Sequence, residues 1–103
     1  HISNIGRVMR PSKNPDLMEA LALEVKVRRD ELGLTQEDLA GRMQMDRPYI
    51  SMIEVARKQP TLSVLFRLAQ GLDLSLSVLI ERVEKRYSRA LKARKALAKQ
   101  ANT

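Results

Sequence analysis

The chain has 103 residues, 44% of them apolar, which is material for one core, and with two Tyr, one Phe and no Trp that core must be aliphatic. There is no Cys, which excludes disulfides and thiolate metal sites and fits a reducing, cytoplasmic setting; no apolar run approaches the ~20 residues of a membrane span, and no signal-peptide pattern opens the chain. The net charge of +7 is carried wholly by the last 19 residues, where Lys85, Arg86, Arg89, Lys92, Arg94, Lys95 and Lys99 meet no acidic residue, so affinity for polyanions is expected of the tail and not of the whole surface.

Residues 1–13 show no helical periodicity and read as a mobile arm bearing Arg7, Arg10 and Lys13; His1, alone at the terminus, is not read as a metal ligand. Asn14-Pro15 is an N-cap followed by Pro at the first helical position, opening a helix to about Leu32 with Leu17, Leu21 and Val25 on its face and Gly33 as its stop. Thr35 caps a second helix, Asp38 completes a weak capping box, and Leu39 and Met43 lie one turn apart on a face that can be buried. Gln44 and Met45 make the turn into a third helix, with Asp46 as its N-cap and Pro48 in its first turn.

Projected at about 100° per residue, that third helix turns Ile50 and Ile53 to the core with Glu54 beside them. Pro48, Ser51, Met52 and Val55 face outward, and Arg47 and Tyr49 occupy the flanks. A face so small, apolar and nearly uncharged suits thymine methyl groups, while Arg47 can reach guanine O6 and N7; burial of Met52 and Val55 under a neighbouring element is the plainer alternative. Thr61 caps a fourth helix, whose apolar positions are Leu62, Leu65, Phe66, Leu68 and Ala69 and which ends at Gly71. Ser75 caps a fifth, containing Val78, Leu79 and Ile80. Beyond it Val83, Tyr87, Leu91 and Leu97 recur at near-helical spacing, interrupted by Arg94. Two readings stay open there: a continuing helix that packs on a partner subunit, or a tail that orders on DNA phosphates. No β-branched alternating run calls for a strand.

Residues 25–80 resemble the helix-turn-helix domain of the Cro/repressor-type (xenobiotic response element) regulators. The resemblance rests on Arg29-x-x-Leu32-Gly33-Leu34-Thr35-Gln36-x-x-Leu39-Ala40, then Tyr49-Ile50-Ser51-x-Ile53-Glu54, Pro60 and Leu72. The segment from Asp46 to Glu54 is also similar to the controller proteins of restriction–modification systems. Two departures stand out, because the family usually has Gly where this chain has Gln44 and Ala56. If the backbone there needs φ > 0, each costs on the order of 1 kcal/mol.

The expected fold is all-α: a five-helix Cro/repressor-like helix-turn-helix bundle over residues 14–84, followed by a basic C-terminal helical extension over 85–103. Arg47, Pro48 and Met52 are expected at base edges, with Tyr49 and Ser51 at the groove wall. Thr35, Gln36, Arg57 and Lys58 are expected at phosphates, the role of Gln36 being the one the resemblance implies for its glutamine. The resemblance also implies a salt bridge between Arg29 and Glu54, charged residues at otherwise inward positions. A homodimer seam is expected from Leu74, Leu76, Leu79, Ile80 and Val83, extended by Tyr87.

No Gly-rich phosphate loop, paired His or carboxylate cleft is visible, so neither an enzyme nor a cofactor or metal site is expected. The functional expectation is a cytoplasmic, homodimeric repressor reading a palindromic duplex-DNA operator through residues 46–55. The alternative is the antitoxin of a toxin–antitoxin pair, binding a protein partner and repressing its own operon.

Overall fold

The computed structural model describes residues 13–101, which form five α-helices and no strand: α1 (Pro15–Glu31), α2 (Gln36–Met43), α3 (Arg47–Glu54), α4 (Leu62–Gly71) and α5 (Leu76–Ala101). The arm expected over residues 1–13 lies, apart from Lys13, outside the described residues. No single helix among them is long and apolar enough to cross a membrane.

Helix starts follow the polar residues that can satisfy first-turn N–H groups. The Asn14 side chain accepts from the Leu17 N–H at 3.1 Å, Thr61 from Val64 at 3.3 Å and Ser75 from Val78 at 3.2 Å. Thr35 forms a full capping box: its hydroxyl accepts from the Asp38 N–H at 3.0 Å and its own N–H donates to the Asp38 carboxylate at 2.9 Å. That N–H holds the Asp38 carboxyl below its ordinary range. Asp46 occupies the cap position of α3, but its carboxylate makes no cap bond.

Four helix ends share one turn. The N–H groups of Leu34, Met45, Arg57 and Leu74 reach back five residues to the carbonyls of Arg29, Ala40, Met52 and Ala69, at 2.8–3.0 Å. Each preceding residue donates three residues back and sits in the left-handed region: Gly33 at φ 69°, Gln44 at 55°, Ala56 at 59° and Asp73 at 56°. This is the Schellman arrangement, and only Gly33 adopts it without crowding a Cβ. The departures at Gln44 and Ala56 therefore fall where the backbone does require positive φ.

The core is aliphatic. Val25, Leu39, Met43, Ile50, Ile53, Leu68, Leu72 and Leu79 are fully buried. Gly71 lets α4 press onto α2, since a Cβ there would lie 2.9 Å from Leu39 Cδ1 and 3.2 Å from Met43 Cγ. Guanidinium groups from two other helices close the end of α4: Arg28 Nε donates to the Leu72 carbonyl at 2.9 Å and Arg42 Nη1 to the Gly71 carbonyl at 3.0 Å. Both place positive charge at the negative end of the helix dipole.

α1 runs antiparallel to α5, as the ion pairs along it show. Asp16 holds Arg94 through two bonds of 2.6 and 2.8 Å, and buried Glu24 holds Arg86 at 2.7 Å and Arg82 at 3.5 Å. Asn14 donates to the Tyr87 hydroxyl at 3.1 Å. α5 continues unbroken through the boundary expected at residue 84 and on to Ala101, so the first of the two readings of the tail has its helix. Its composition after Tyr87 is rich in Ala, Leu, Lys and Arg, the strong helix formers. Past Leu91 the described residues are all exposed, and this part of α5 projects from the bundle.

Candidate nucleic-acid interface

α3 has eight residues, too few to persist in isolation, so its position depends on what it packs against. Ile50 and Ile53 are fully buried and anchor one face. On the other face Arg47, Pro48, Met52 and Val55 are exposed, Met52 at 40% and Val55 at 62%, so neither Met52 nor Val55 is buried under a neighbouring element. Ser51 and Tyr49 are half-buried at the flanks; burial raises the Tyr49 phenol above its usual range, and Lys58 Nζ stands 5.6 Å from the ring centroid.

The inward edge of α3 carries a polar network. Glu54 is 4% exposed and receives Arg29 of α1 through two bonds, Nε to Oε2 at 2.7 Å and Nη2 to Oε1 at 3.0 Å. Arg29 also donates to the Leu34 carbonyl at 2.8 Å, tying the turn between α1 and α2 to the same group. Its hydrogen bonds to Glu54 raise its affinity for its proton despite the opposing effect of burial.

Gln36, at the start of α2, extends the network to the surface. Its amide donates to Glu54 Oε1 at 3.0 Å, and its carbonyl accepts from the Ser51 hydroxyl at 2.7 Å and from Arg47 Nη1 at 3.3 Å. Arg47 Nη1 also reaches Ser51 Oγ at 3.2 Å. Buried ion pair, helix start and exposed arginine are thus joined through one amide. The resemblance implied a phosphate role for Gln36; its inward bond to Glu54 has only a faint sequence signal, the spacing of an inward Glu on one helix from the first residue of another. Thr35, Arg57 and Lys58 are exposed, and the Thr35 hydroxyl serves the Asp38 cap.

Two short helices of this kind, crossed through a left-handed turn and steadied by the longer α1, decide the family together with the matching sequence: a helix-turn-helix family model matches residues 25–79. The chain belongs to the Cro/repressor-type helix-turn-helix family of DNA-binding transcription regulators. It is 35% identical over 60 residues to the control protein C.MunI of Mycoplasma sp, covering 58% of this chain and 81% of that protein. Among solved structures, the restriction–modification controller protein C.Esp1396I superposes with a TM-score of 0.66 at 36% identity, over 71% of this chain and 95% of that one. A C.Esp1396I tetramer in complex with its natural 35 base-pair operator gives 0.65 at 37% identity, covering 69% and 93%. The clp gene regulator ClgR from Corynebacterium glutamicum shares the fold, with a TM-score of 0.72 at 24% identity over 86% of this chain and 92% of that one.

The residues expected at a dimer seam are not equally available on the helix-turn-helix protomer. Leu79 and Val83 are buried within its own core, at 0% and 5% exposure, and offer little surface to a second copy. Leu74, Leu76 and Tyr87 are half-buried against that core, and Ile80 is exposed. Leu62 and Phe66, read from sequence only as apolar positions of the fourth helix, are instead exposed at 71% and 50%, flanking Leu76. A signal for this existed. The apolar positions of α4 from Leu68 round to Phe66 span about 160° of the helix, wider than the ~100° stripe that one core needs.

Proposed function

We propose that this chain is a homodimeric, operator-binding transcription regulator of the restriction–modification controller type, acting as a repressor and reading duplex DNA through α3. The observation that carries the reading is the exposed, uncharged face of α3 with Arg47 at its N-terminal end, held at a defined tilt by the Arg29–Glu54–Gln36–Ser51 network. Such a helix enters the major groove with its N-terminal residues toward the bases. Arg47 supplies paired donors for guanine, and Pro48 and Met52 supply apolar contact for thymine methyls.

Tyr49 and Ser51 flank the groove wall. Thr35, Gln36, Arg57 and Lys58 take phosphates, assisted by the first-turn N–H groups of α2. In the free protein Arg47 rests on Gln36 and Ser51, so base contact requires the guanidinium to swing outward while Ser51 keeps the Gln36 carbonyl satisfied. The related C.Esp1396I tetramer, bound to its operator, supports an oligomeric reader. The surface for a second copy is Leu62, Phe66 and Ile80, apolar and exposed, together with the uncovered side of half-buried Leu76. Two copies joined there present two recognition helices to half-sites one turn of B-DNA apart, about 34 Å.

Selection of binding sites from random duplex DNA is expected to return two-fold symmetric sequences with that spacing. Arg47→Ala is then expected to lower affinity for the selected site by about 1–3 kcal/mol and to relax preference at one base pair of each half-site. An unchanged ratio of selected to scrambled DNA binding in Arg47→Ala would remove α3 as the reader.

A further inference from the structure

The projecting half of α5 carries a charge pattern that the reading of α3 does not use. Of the seven basic residues after Glu84, Arg86 and Arg94 turn back to α1, where Glu24 and Asp16 neutralise them. Lys85, Arg89, Lys92, Lys95 and Lys99 remain on the exposed side. Lys85 has Glu81 at 3.6 Å, and among the described residues no carboxylate lies within ion-pair distance of the other four.

At about 100° per residue these five fall within an arc of about 120°, centred opposite the line of Leu79, Val83, Tyr87 and Arg94 that faces the bundle. At 1.5 Å per residue they run for about 21 Å, the axial length of roughly six base pairs. The stripe is straight because its helix is continuous, and its azimuth is fixed because Arg94 is held by Asp16.

Its direction is the informative part. On α1, Glu24 faces α5 and Arg29 faces α3, and the two residues stand about 140° apart around the helix. Asp16 and Arg29 are separated by about 20 Å along it. With helices packed 8–10 Å apart, the stripe lies roughly 30 Å from the base-reading face of α3 and points away from it. A straight duplex seated on α3 of the same protomer does not reach it.

We infer that the Lys85–Lys99 stripe of α5 is a second, sequence-independent nucleic-acid contact, taking the phosphate backbone of a duplex segment other than the one read by α3. Its chemistry is chiefly that of point-charge neutralisation: four flexible ammonium groups and the Arg89 guanidinium at three- and four-residue spacing, with one planar group among the five. Counterion release then supplies the binding free energy, and this makes the contact strongly salt-dependent.

The test uses the full chain and a random-sequence 30 base-pair duplex, titrated between about 50 and 200 mM salt. Replacing Lys85, Arg89, Lys92, Lys95 and Lys99 together by Gln is expected to reduce the slope of log affinity against log salt by two or more, at about 0.9 for each phosphate no longer neutralised. Replacing the four lysines by Arg should leave the slope unchanged. A chain shortened after Leu91, lacking Lys92, Lys95 and Lys99, should lose slope by two or more as well, and circular dichroism reports whether the helix persists in each. A smaller fall in both the Gln variant and the shortened chain overturns the proposal, as does an equal fall in the Arg variant. Vesicles rich in phosphatidylserine serve as the second arm: loss of vesicle binding in the Gln variant with an unchanged DNA slope assigns the stripe to a membrane surface and overturns it. Base reading by α3 is tested separately through Arg47→Ala, so either contact can fail while the other stands.

Discussion

Two arginine–carboxylate pairs stand near the two ends of α1, alike in geometry and different in surroundings. Arg29 meets Glu54 of α3 at 2.7 and 3.0 Å, and Arg94 of α5 meets Asp16 at 2.6 and 2.8 Å. The side chains of the first pair are 15% and 3% exposed; those of the second are 66% and 24% exposed. Short bonds alone therefore do not rank them. Water replaces either partner of the outer pair, whereas each member of the inner pair depends on the other once buried. The inner pair positions an eight-residue helix with little stability of its own. The outer pair orients a helix whose backbone bonds are already complete.

The sharpest way to break this comparison is to remove one carboxylate from each pair. Glu54→Ala is expected to cost about 3–5 kcal/mol in urea unfolding, because it strands the Arg29 guanidinium and removes the Gln36 amide's acceptor. Asp16→Ala is expected to leave the global midpoint nearly unchanged and to loosen only the distal part of α5, seen as faster amide exchange there. Equal losses from the two variants would show that burial is not what separates the pairs.

The next effect is smaller and of opposite sign. α3 is bracketed by Gln44 and Ala56 in the left-handed region, so Gln44→Gly and Ala56→Gly should each stabilise by about 0.5–1 kcal/mol. Ala93→Gly, in the projecting part of α5, should instead lower helicity, as Gly does in any helix interior. Loss of stability in Ala56→Gly would mean that the turn after α3 is held by contacts of the methyl group.

The smallest expected effect lies in acid. The folded-state pKa of Asp38 is depressed below its ordinary value of 3.8, chiefly by the Thr35 N–H. Its contribution to stability is therefore complete above that value and is lost as pH falls through the lower, folded-state pKa. Asp38→Asn should be less stable than the parent at neutral pH and converge with it in acid. Urea midpoints that stay equally separated down to about pH 2 would assign the cap's value to something other than its charge.

Much of the helix-turn-helix was legible because its signals are local. Asn14-Pro15, Thr35, Thr61 and Ser75 marked helix starts through their own side chains, and Gly33 marked an end. Glu54 was legible as a charge on an inward face, and the family resemblance implied Arg29 as its partner. Glu24 gave the same signal on α1, but its partners, Arg82 and Arg86, lie some sixty residues away and only the packing of α5 brings them near. The outward turn of Leu62 and Phe66 was missed for a related reason: apolar periodicity tells how wide a face is, and not which part of it a single chain covers. The course of residues 85–101 stayed open because repulsion among the lysines and the helix preference of the alanines pull in opposite directions. In the structure α1 neutralises Arg86 and Arg94, so the repulsion along this part of α5 is smaller than its seven basic residues suggest.

Gly71 sets a length as well as a fit. α4 rests on Leu39 and Met43 of α2 through a position that has no room for a methyl group. The same helix carries Leu62 and Phe66 on its outer side. A methyl group at residue 71 has to displace the buried Leu39 and Met43 side chains or lift α4 from its seat, and lifting moves that outer side relative to α3. In a dimer joined through Leu62 and Phe66, a two-fold axis doubles the shift and delivers it to the distance between the two recognition helices. In that proposed dimer the absent methyl group would act as a ruler, setting the half-site separation from a point inside the core of each copy.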